Sequence, residues 1–171
     1  MRGAALLCAV VLIGGCSTPP SKVATAQATH EYPSPKPAPQ TAVAGQPSAV
    51  EAVRAFATAY INWTAETVPG DMRALAERSI GQARSAVELA AVQTASDYEL
   101  QRGGIANTGT VEAVAPLPGA ADQYVVVTRE STSATNTTAY QGLQPAWHVA
   151  LATVSEVGAG EWVVSGWQPE S

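Results

Sequence analysis

The sequence predicts an α+β domain in which three N-terminal helices pack on a curved, four-stranded antiparallel sheet, cone-like in outline. Two observations lead to this prediction. Apolar residues recur at helical spacing from residue 48 to about 103, and beyond that point they alternate at every second position. Short glycine- or proline-containing turns join the alternating segments, whereas parallel strands would need long crossovers. The domain is placed at residues 47–171.

The first predicted helix begins at Ser48, because Ser48 and Glu51 have the spacing of a capping box. We expect it to run to about Glu66 and to end before Pro69-Gly70. Its apolar stripe consists of Val50, Val53, Phe56, Ala57, Tyr60, Ile61, Trp63 and Thr64.

Two further helices should follow. Asp71 is predicted to cap a short second helix. Ser79 and Gln82 have capping-box spacing and predict the start of the third helix. That helix is expected to continue through Tyr98 and to stop at Gly103-Gly104.

The strands are expected at 110–117, at 124–128 with a Thr/Ser-rich continuation to 138, at 147–152 and at 162–167. Successive side chains of a strand point to opposite faces of the sheet. If Trp147 faces the helices, then His148 faces away from them with Ala150 and Ala152.

The N-terminus has the pattern of an export signal at residues 1–15. Arg2 precedes an apolar run from Ala4 to Ile13, which is too short to span a bilayer. Two glycines then lead to Cys16, and this arrangement resembles the bacterial lipoprotein box. The resemblance implies that Cys16 is diacylated, with fatty acids such as palmitate, and anchors the chain to the extracytoplasmic side of the cell membrane. An ordinary signal peptide with an incidental cysteine is the alternative.

Residues 16–46 are predicted to form a disordered linker after the lipidated cysteine. Large apolar side chains are almost absent, so the segment cannot offset the entropy lost on ordering. We interpret His30 and Tyr32 as solvated linker residues. The prolines of the segment are Pro19, Pro20, Pro33, Pro35, Pro37 and Pro39.

Composition excludes several classes of function. The formal net charge of −5 and the absence of any Lys/Arg cluster argue against nucleic-acid binding and against a basic membrane-binding face. Of the two cysteines, Cys8 would leave with the signal, so no internal disulfide is expected. The apolar fraction of 46% is enough to build a core.

The sequence offers no catalytic, metal or cofactor site. Asp97-Tyr98 is the one adjacent pair of the types used by ketosteroid isomerase, but adjacent helical side chains do not share a face. We expect Asp97 to be solvated and Tyr98 to be packed. His148 is the one histidine of the predicted domain, which disfavours a metal site and leaves a general base as the alternative reading.

The C-terminal pattern suggests a family. It comprises Tyr124-Val-Val-Val-Thr, then Trp147-His148-Val149, then Trp162-Val163-Val164-Ser165 with Trp167. Together with the order of elements, it resembles the nuclear transport factor 2-like superfamily. It is most similar to exported members related to the core component of type IV secretion and conjugation systems, and to accessory proteins of Mce lipid import.

The resemblance implies a membrane-anchored lipoprotein with a non-catalytic, protein-binding domain in a cell-envelope assembly. Its candidate docking or pocket residues are Tyr124, Trp147, His148, Trp162 and Trp167. The alternative is a small-molecule carrier or an enzyme that uses the cavity between helices and sheet. A closed apolar cone would favour docking, and an open pocket with a buried carboxylate or histidine would favour the alternative.

Lipidation gives the first testable prediction. Replacing Cys16 by Ala should block acylation and lipoprotein-type processing, because the thiol is the group that carries the lipid. Mass spectrometry of the mature protein measures this. An unmodified wild-type N-terminus at another residue would contradict the prediction.

Overall fold

A computed structural model describes residues 38–170. Five strands form one antiparallel sheet in which they follow one another in chain order, and the helices pack against one face of this curled sheet. The predicted α+β class, with helices on a curled antiparallel sheet, is confirmed. The elements are α1 (Ala49–Ile61), β1 (Trp63–Thr64), α2 (Val68–Glu77), α3 (Gly81–Ala95), α4 (Tyr98–Gly103), β2 (Ile105–Pro116), β3 (Gln123–Ala134), β4 (Ala146–Glu156) and β5 (Trp162–Glu170).

The described part contains four helices and five strands, so the predicted counts of three and four were wrong. The additional strand is β1, which replaces the last turn that we predicted for the first helix. The helix ends at Ile61 because the side chain of the next residue, Asn62, bonds to backbone atoms of α1 and β2. Its Nδ2 donates to Thr58 O at 2.8 Å and to Gly109 O at 3.2 Å, and its Oδ1 accepts from Gly109 N at 3.0 Å. These bonds tie the chain to β2 and turn it into a strand.

The additional helix is α4, which the prediction had merged with α3. Asp97 adopts an extended conformation, and its Oδ1 accepts the backbone N–H of Leu100 at 2.9 Å. This local bond competes with continuation of the helix, so Asp97 caps α4. Tyr98 is 69% exposed and is not packed as we expected.

Of the three predicted caps, the one at Ser48 is confirmed, because Ser48 Oγ accepts Glu51 N at 3.2 Å. The one at Asp71 was wrong. Helix α2 begins at Val68, ahead of Pro69. Proline is tolerated in the first turn of a helix, where its missing N–H leaves no bond unmade, so it did not mark a helix end.

The predicted cap at Ser79 was also wrong. Ser79 is fully buried, and its hydroxyl donates to Leu75 O at 3.0 Å, so it closes α2. Helix α3 starts at Gly81 with a φ of +59°, where a Cβ would lie 2.8 Å from Ser165 O. Both the backbone conformation and the close approach to β5 therefore require glycine.

The core lies between the helices and the inner face of the sheet. At its centre, Phe56 and Tyr60 of α1 contact Trp167 of β5, with ring centroids 5.1 and 5.4 Å from the indole. Trp167 is 4% exposed. The other buried members of this core are Val53, Ala57, Val68, Met72, Leu75, Ala76, Ala83, Val87, Ala91, Val126, Ala150, Ala152, Val154 and Val164.

Strand β4 has its alanines toward the helices. Ala150 and Ala152 are buried, whereas Trp147 is 63% exposed. His148 therefore shares the helix-facing side, and Trp147 points outward, which is the opposite of the arrangement considered from the sequence. Ala152 pairs with Trp167 across β4 and β5. The large ring fills the space above the small side chain, which explains why alanine is favoured there.

The folded unit begins at Ala38, within the segment 16–46 that we assigned to the linker. Gln46 and Trp162 exchange two backbone hydrogen bonds of 2.8 Å, and Val43 N donates to Glu77 O at 2.9 Å. The predicted signal, Cys16 and the linker up to residue 37 lie outside the described residues. Within residues 38–170, each helix is too short or too polar to cross a membrane.

The two tryptophans on opposite faces of the sheet give a matched stability test. Trp167→Ala should lower the free energy of unfolding by about 3–5 kcal/mol, because a buried ring is lost and a cavity remains. Trp147→Ala should change it by less than about 1 kcal/mol, since the ring is mostly exposed. Urea unfolding measures both. Equal losses would contradict the assigned directions of the two rings.

Candidate functional site

The inner face of β3 changes from apolar to polar along the strand. Val126 is fully buried in the core, and Thr128, Glu130 and Thr132 follow at every second position. Because side chains alternate along a strand, these four residues share the helix-facing side. Thr128 is still buried, whereas Glu130 and Thr132 lie beyond the core and form part of the floor of a cleft.

Asn107 of β2 holds this floor together. It is 6% exposed, and its Nδ2 donates to Ile61 O at 2.7 Å and to Glu130 Oε2 at 2.8 Å. Its Oδ1 accepts from Thr132 Oγ1 at 3.1 Å. Both amide protons and the amide oxygen therefore have partners, as a buried amide requires.

The carboxylate of Glu130 is fixed from two sides. Oε2 accepts from Asn107, and Oε1 accepts from the hydroxyl of Thr128 at 2.6 Å. Thr128 is itself 4% exposed. An ionised carboxylate has about four lone-pair positions, so Glu130 is oriented and still has acceptor capacity.

Tyr60 lies beside this carboxylate. Burial raises the pKa of its phenol above the ordinary value of 10.0, and the nearby negative charge of Glu130 raises it further. The indole N–H of Trp167 opposes the shift, although its nitrogen makes no hydrogen bond of normal geometry. Tyr60 therefore keeps its proton at neutral pH, and the residue lines the cleft.

The cleft has a volume of about 550 Å³ and opens to solvent. Glu130 is the one acidic residue that lines it, His148 is the one histidine, and neither Lys nor Arg is among its described lining residues. His148 is exposed, so it lies where the cleft meets solvent. The remaining lining residues are Tyr60, Trp63, Val68, Met72, Ala90, Thr94, Asn107, Thr132, Leu143, Gln144 and Ala146.

Glu130 and His148 are too few to hold a metal ion in the usual manner. Protein sites generally supply at least three ligands. No group of three His, Cys, Asp or Glu side chains in the part of the chain that the structure describes is arranged to do so.

A second, smaller cavity of about 220 Å³ lies between α1 and the segment that precedes it. Val43, Phe56 and Trp162 are among its lining residues, and Arg78 is its one charged member. It is mostly apolar and lacks a group of polar side chains like that around Glu130, so the larger cleft is the candidate site.

The five predicted site residues do not share one surface. His148 lines the cleft, whereas Trp147 lies on the outer face with Arg129 Cζ 5.9 Å from its ring centroid. Tyr124 and Trp162 are half-buried against the core, and Trp167 is buried within it.

The sequence reasoning missed Tyr60, Asn107 and Glu130 as site residues. One signal was present, because the alternation that places Val126 inside continues through Thr128 and Glu130. A polar continuation of a buried strand face indicates a solvent-filled space. Tyr60 and Asn107 had no such signal, since each depends on contacts between distant parts of the chain.

The fold and the cleft together define an α+β domain with an open, carboxylate-containing site of ligand size between its helices and its sheet. No protein-family model matches the chain, and a search of the curated proteins found no similar sequence. The superfamily suggested by the sequence pattern therefore stays a prediction.

The raised pKa of Tyr60 predicts a pH dependence of stability. Above pH 10 the unfolded chain releases this proton before the folded chain does, so folding stability falls as pH rises. Tyr60→Phe removes the group, and the free energy of unfolding should then decline less steeply with pH. Urea unfolding at a series of alkaline pH values measures the slope.

Tyr98→Phe is the control, because that ring is 69% exposed, and this variant should keep the wild-type slope. Identical slopes for wild type and Tyr60→Phe would contradict the burial of the phenol beside Glu130.

Proposed function

We propose that this chain is an exported lipoprotein whose folded domain binds a small amphipathic molecule in the cleft, without turning it over. The observation that carries the proposal is the half-buried Glu130 carboxylate, held by Asn107 and Thr128 in a cleft open to solvent. The open space in front of the carboxylate leaves room for a ligand that pairs with it.

The size and lining of the cleft support this. Its volume of about 550 Å³ lies within the range of small-molecule pockets. Trp63 and Leu143 offer apolar surface, while Tyr60 and Glu130 offer polar groups. Such pockets usually combine a mainly apolar lining with a few placed polar groups.

Binding is preferred to catalysis because of the way Glu130 is held. Both of its oxygens already accept hydrogen bonds, which makes it a good acceptor but a restrained proton carrier. His148 is exposed, and no hydrogen bond orients its imidazole among the described residues. A general base is usually positioned by a partner on its far side.

The proposal includes the anchor and the superfamily. Lipid on Cys16 would attach the chain to the extracytoplasmic side of the cell membrane. Helices packed on a curled antiparallel sheet support membership in the nuclear transport factor 2-like superfamily, although the element counts differ from those we expected. A role in an envelope assembly such as a conjugation or secretion system is compatible with both.

Protein docking is the second candidate function. It is favoured by the outer face of β4, where Trp147 is 63% and Val149 is 41% exposed. Exposed aromatic side chains are enriched at protein interfaces. An envelope protein could dock there while the cleft on the opposite face stays open.

Filling the cleft tests the ligand-binding proposal. Thr94 lines the cleft from α3, and its neighbour Gln93 is exposed and does not line it. Thr94→Trp should weaken the binding of 3-phenylpropan-1-ol to the full-length protein at least tenfold, because the new ring occupies the site. Gln93→Trp should leave the affinity unchanged. Isothermal titration calorimetry measures both.

Equal affinities of the two variants, or failure of the wild type to bind this alcohol and its charged analogues alike, would contradict a ligand site in the cleft. If a photocrosslinker at position 147 then captured an envelope protein in cells, docking would be the better description. The same crosslinker at position 98, which is also exposed, should not capture it.

A further inference from the structure

We infer that the ligand of the cleft is an organic cation, with a protonated amine beside Glu130 and an apolar body against Trp63 and Leu143. This inference rests on the proposed function, because it assumes that the cleft holds a ligand. It adds the charge and the orientation of that ligand.

The charge of the cleft carries the first step. Glu130 is the one acidic side chain of the lining, and the described lining residues include no Lys or Arg. Strand alternation sends the neighbouring Arg129 to the outer face, where its guanidinium lies 5.9 Å from the ring of Trp147. A half-buried carboxylate without a cationic partner is costly, so a ligand that supplies the positive charge gains the pairing energy.

The geometry around Glu130 carries the second step. Asn107 and Thr128 occupy one acceptor position on each oxygen and fix the plane of the carboxylate. The remaining lone pairs are available to an ammonium group, which donates up to three hydrogen bonds. Because the acceptor is already oriented by buried partners, binding costs little ordering of the site.

The aromatic lining carries the third step. Trp63 lines the cleft, and an indole ring attracts cations through its face. Tyr60 stays protonated beside Glu130, so it adds no second negative charge and its oxygen accepts a hydrogen bond from an ammonium. Leu143, which also lines the cleft and is 56% exposed, offers apolar surface for a hydrocarbon body.

Two other ligand classes fit the cleft less well. An anion would be repelled by Glu130 and would find no cationic lining residue among those described. A metal ion would have Glu130 and His148 as its charged or nitrogen ligands, fewer than metal sites usually supply.

A series of three probes of similar shape tests the inference. These are 3-phenylpropylamine, 3-phenylpropan-1-ol and 3-phenylpropanoate, which at pH 8 carry a positive charge, no charge and a negative charge. Calorimetric titration of the full-length protein should show the amine binding at least tenfold more tightly than the alcohol, and the anion binding most weakly.

Two variants test whether Glu130 is the residue that causes the preference for the amine. Glu130→Gln should reduce the affinity for the amine to about that for the alcohol, and leave the alcohol itself within about twofold. Glu112→Gln is a matched control, because Glu112 also accepts a 2.6 Å hydrogen bond from a threonine two residues earlier, yet it does not line the cleft. This control should keep the full preference for the amine.

The outcomes separate the two proposals. If the alcohol binds but the amine binds no more tightly, or if the anion binds best, the cation inference is overturned while the ligand site stands. If none of the probes binds, both fail. If Glu130→Gln does not fold, salt dependence of the wild type replaces it as the test. The preference for the amine over the alcohol should fall as salt is added, because salt screens ion pairing. A preference that does not change with salt would overturn the inference.

Discussion

The buried amide of Asn107 is the constraint on which both the fold and the cleft depend. Its Nδ2 donates one hydrogen bond to Ile61 O at the end of α1 and the other to the carboxylate of Glu130. A single side chain on β2 therefore joins the last helical carbonyl to the polar group of the site. An amide buried at 6% exposure must satisfy all of its hydrogen-bonding groups, so neither neighbour can shift without cost.

Local signals predicted the parts of the fold that local interactions determine. The capping residue Ser48 and the period-2 alternation of the C-terminal half were correctly interpreted, and they were enough to predict helices on an antiparallel sheet. The end of α1 was not predictable in this way. Asn62 leaves the helix because of bonds to Gly109, which lies 47 residues further along the chain. Helical periodicity cannot report a partner at that distance.

The side chains of β4 were assigned to the wrong faces of the sheet for a related reason. A tryptophan is a natural candidate for the core, so Trp147 was considered for the inner face and His148 for the outer one. The facing of the strand is set further along, where Ala152 pairs with the buried Trp167, and alternation then places His148 on the inner face. The core accepts one indole there, and small side chains are needed opposite it. The packing between β4 and β5 decides which side chains face the core, and the sequence of either strand alone does not reveal it.

The open cleft is itself a consequence of this packing. The apolar inner face runs from the aromatic contacts of α1 and β5 to Val126, and the helices cover that part. Beyond Val126 the inner face of β3 carries Thr128, Glu130 and Thr132. Covering the carboxylate of Glu130 with apolar side chains, without a cationic partner, would cost several kcal/mol, on the order of a domain's whole stability. The helices therefore leave this half of the sheet accessible. A fixed negative charge at the base of a solvent-filled space follows from the same burial rule that builds the core, and it makes the polar half of β3 the place where we propose that a ligand binds.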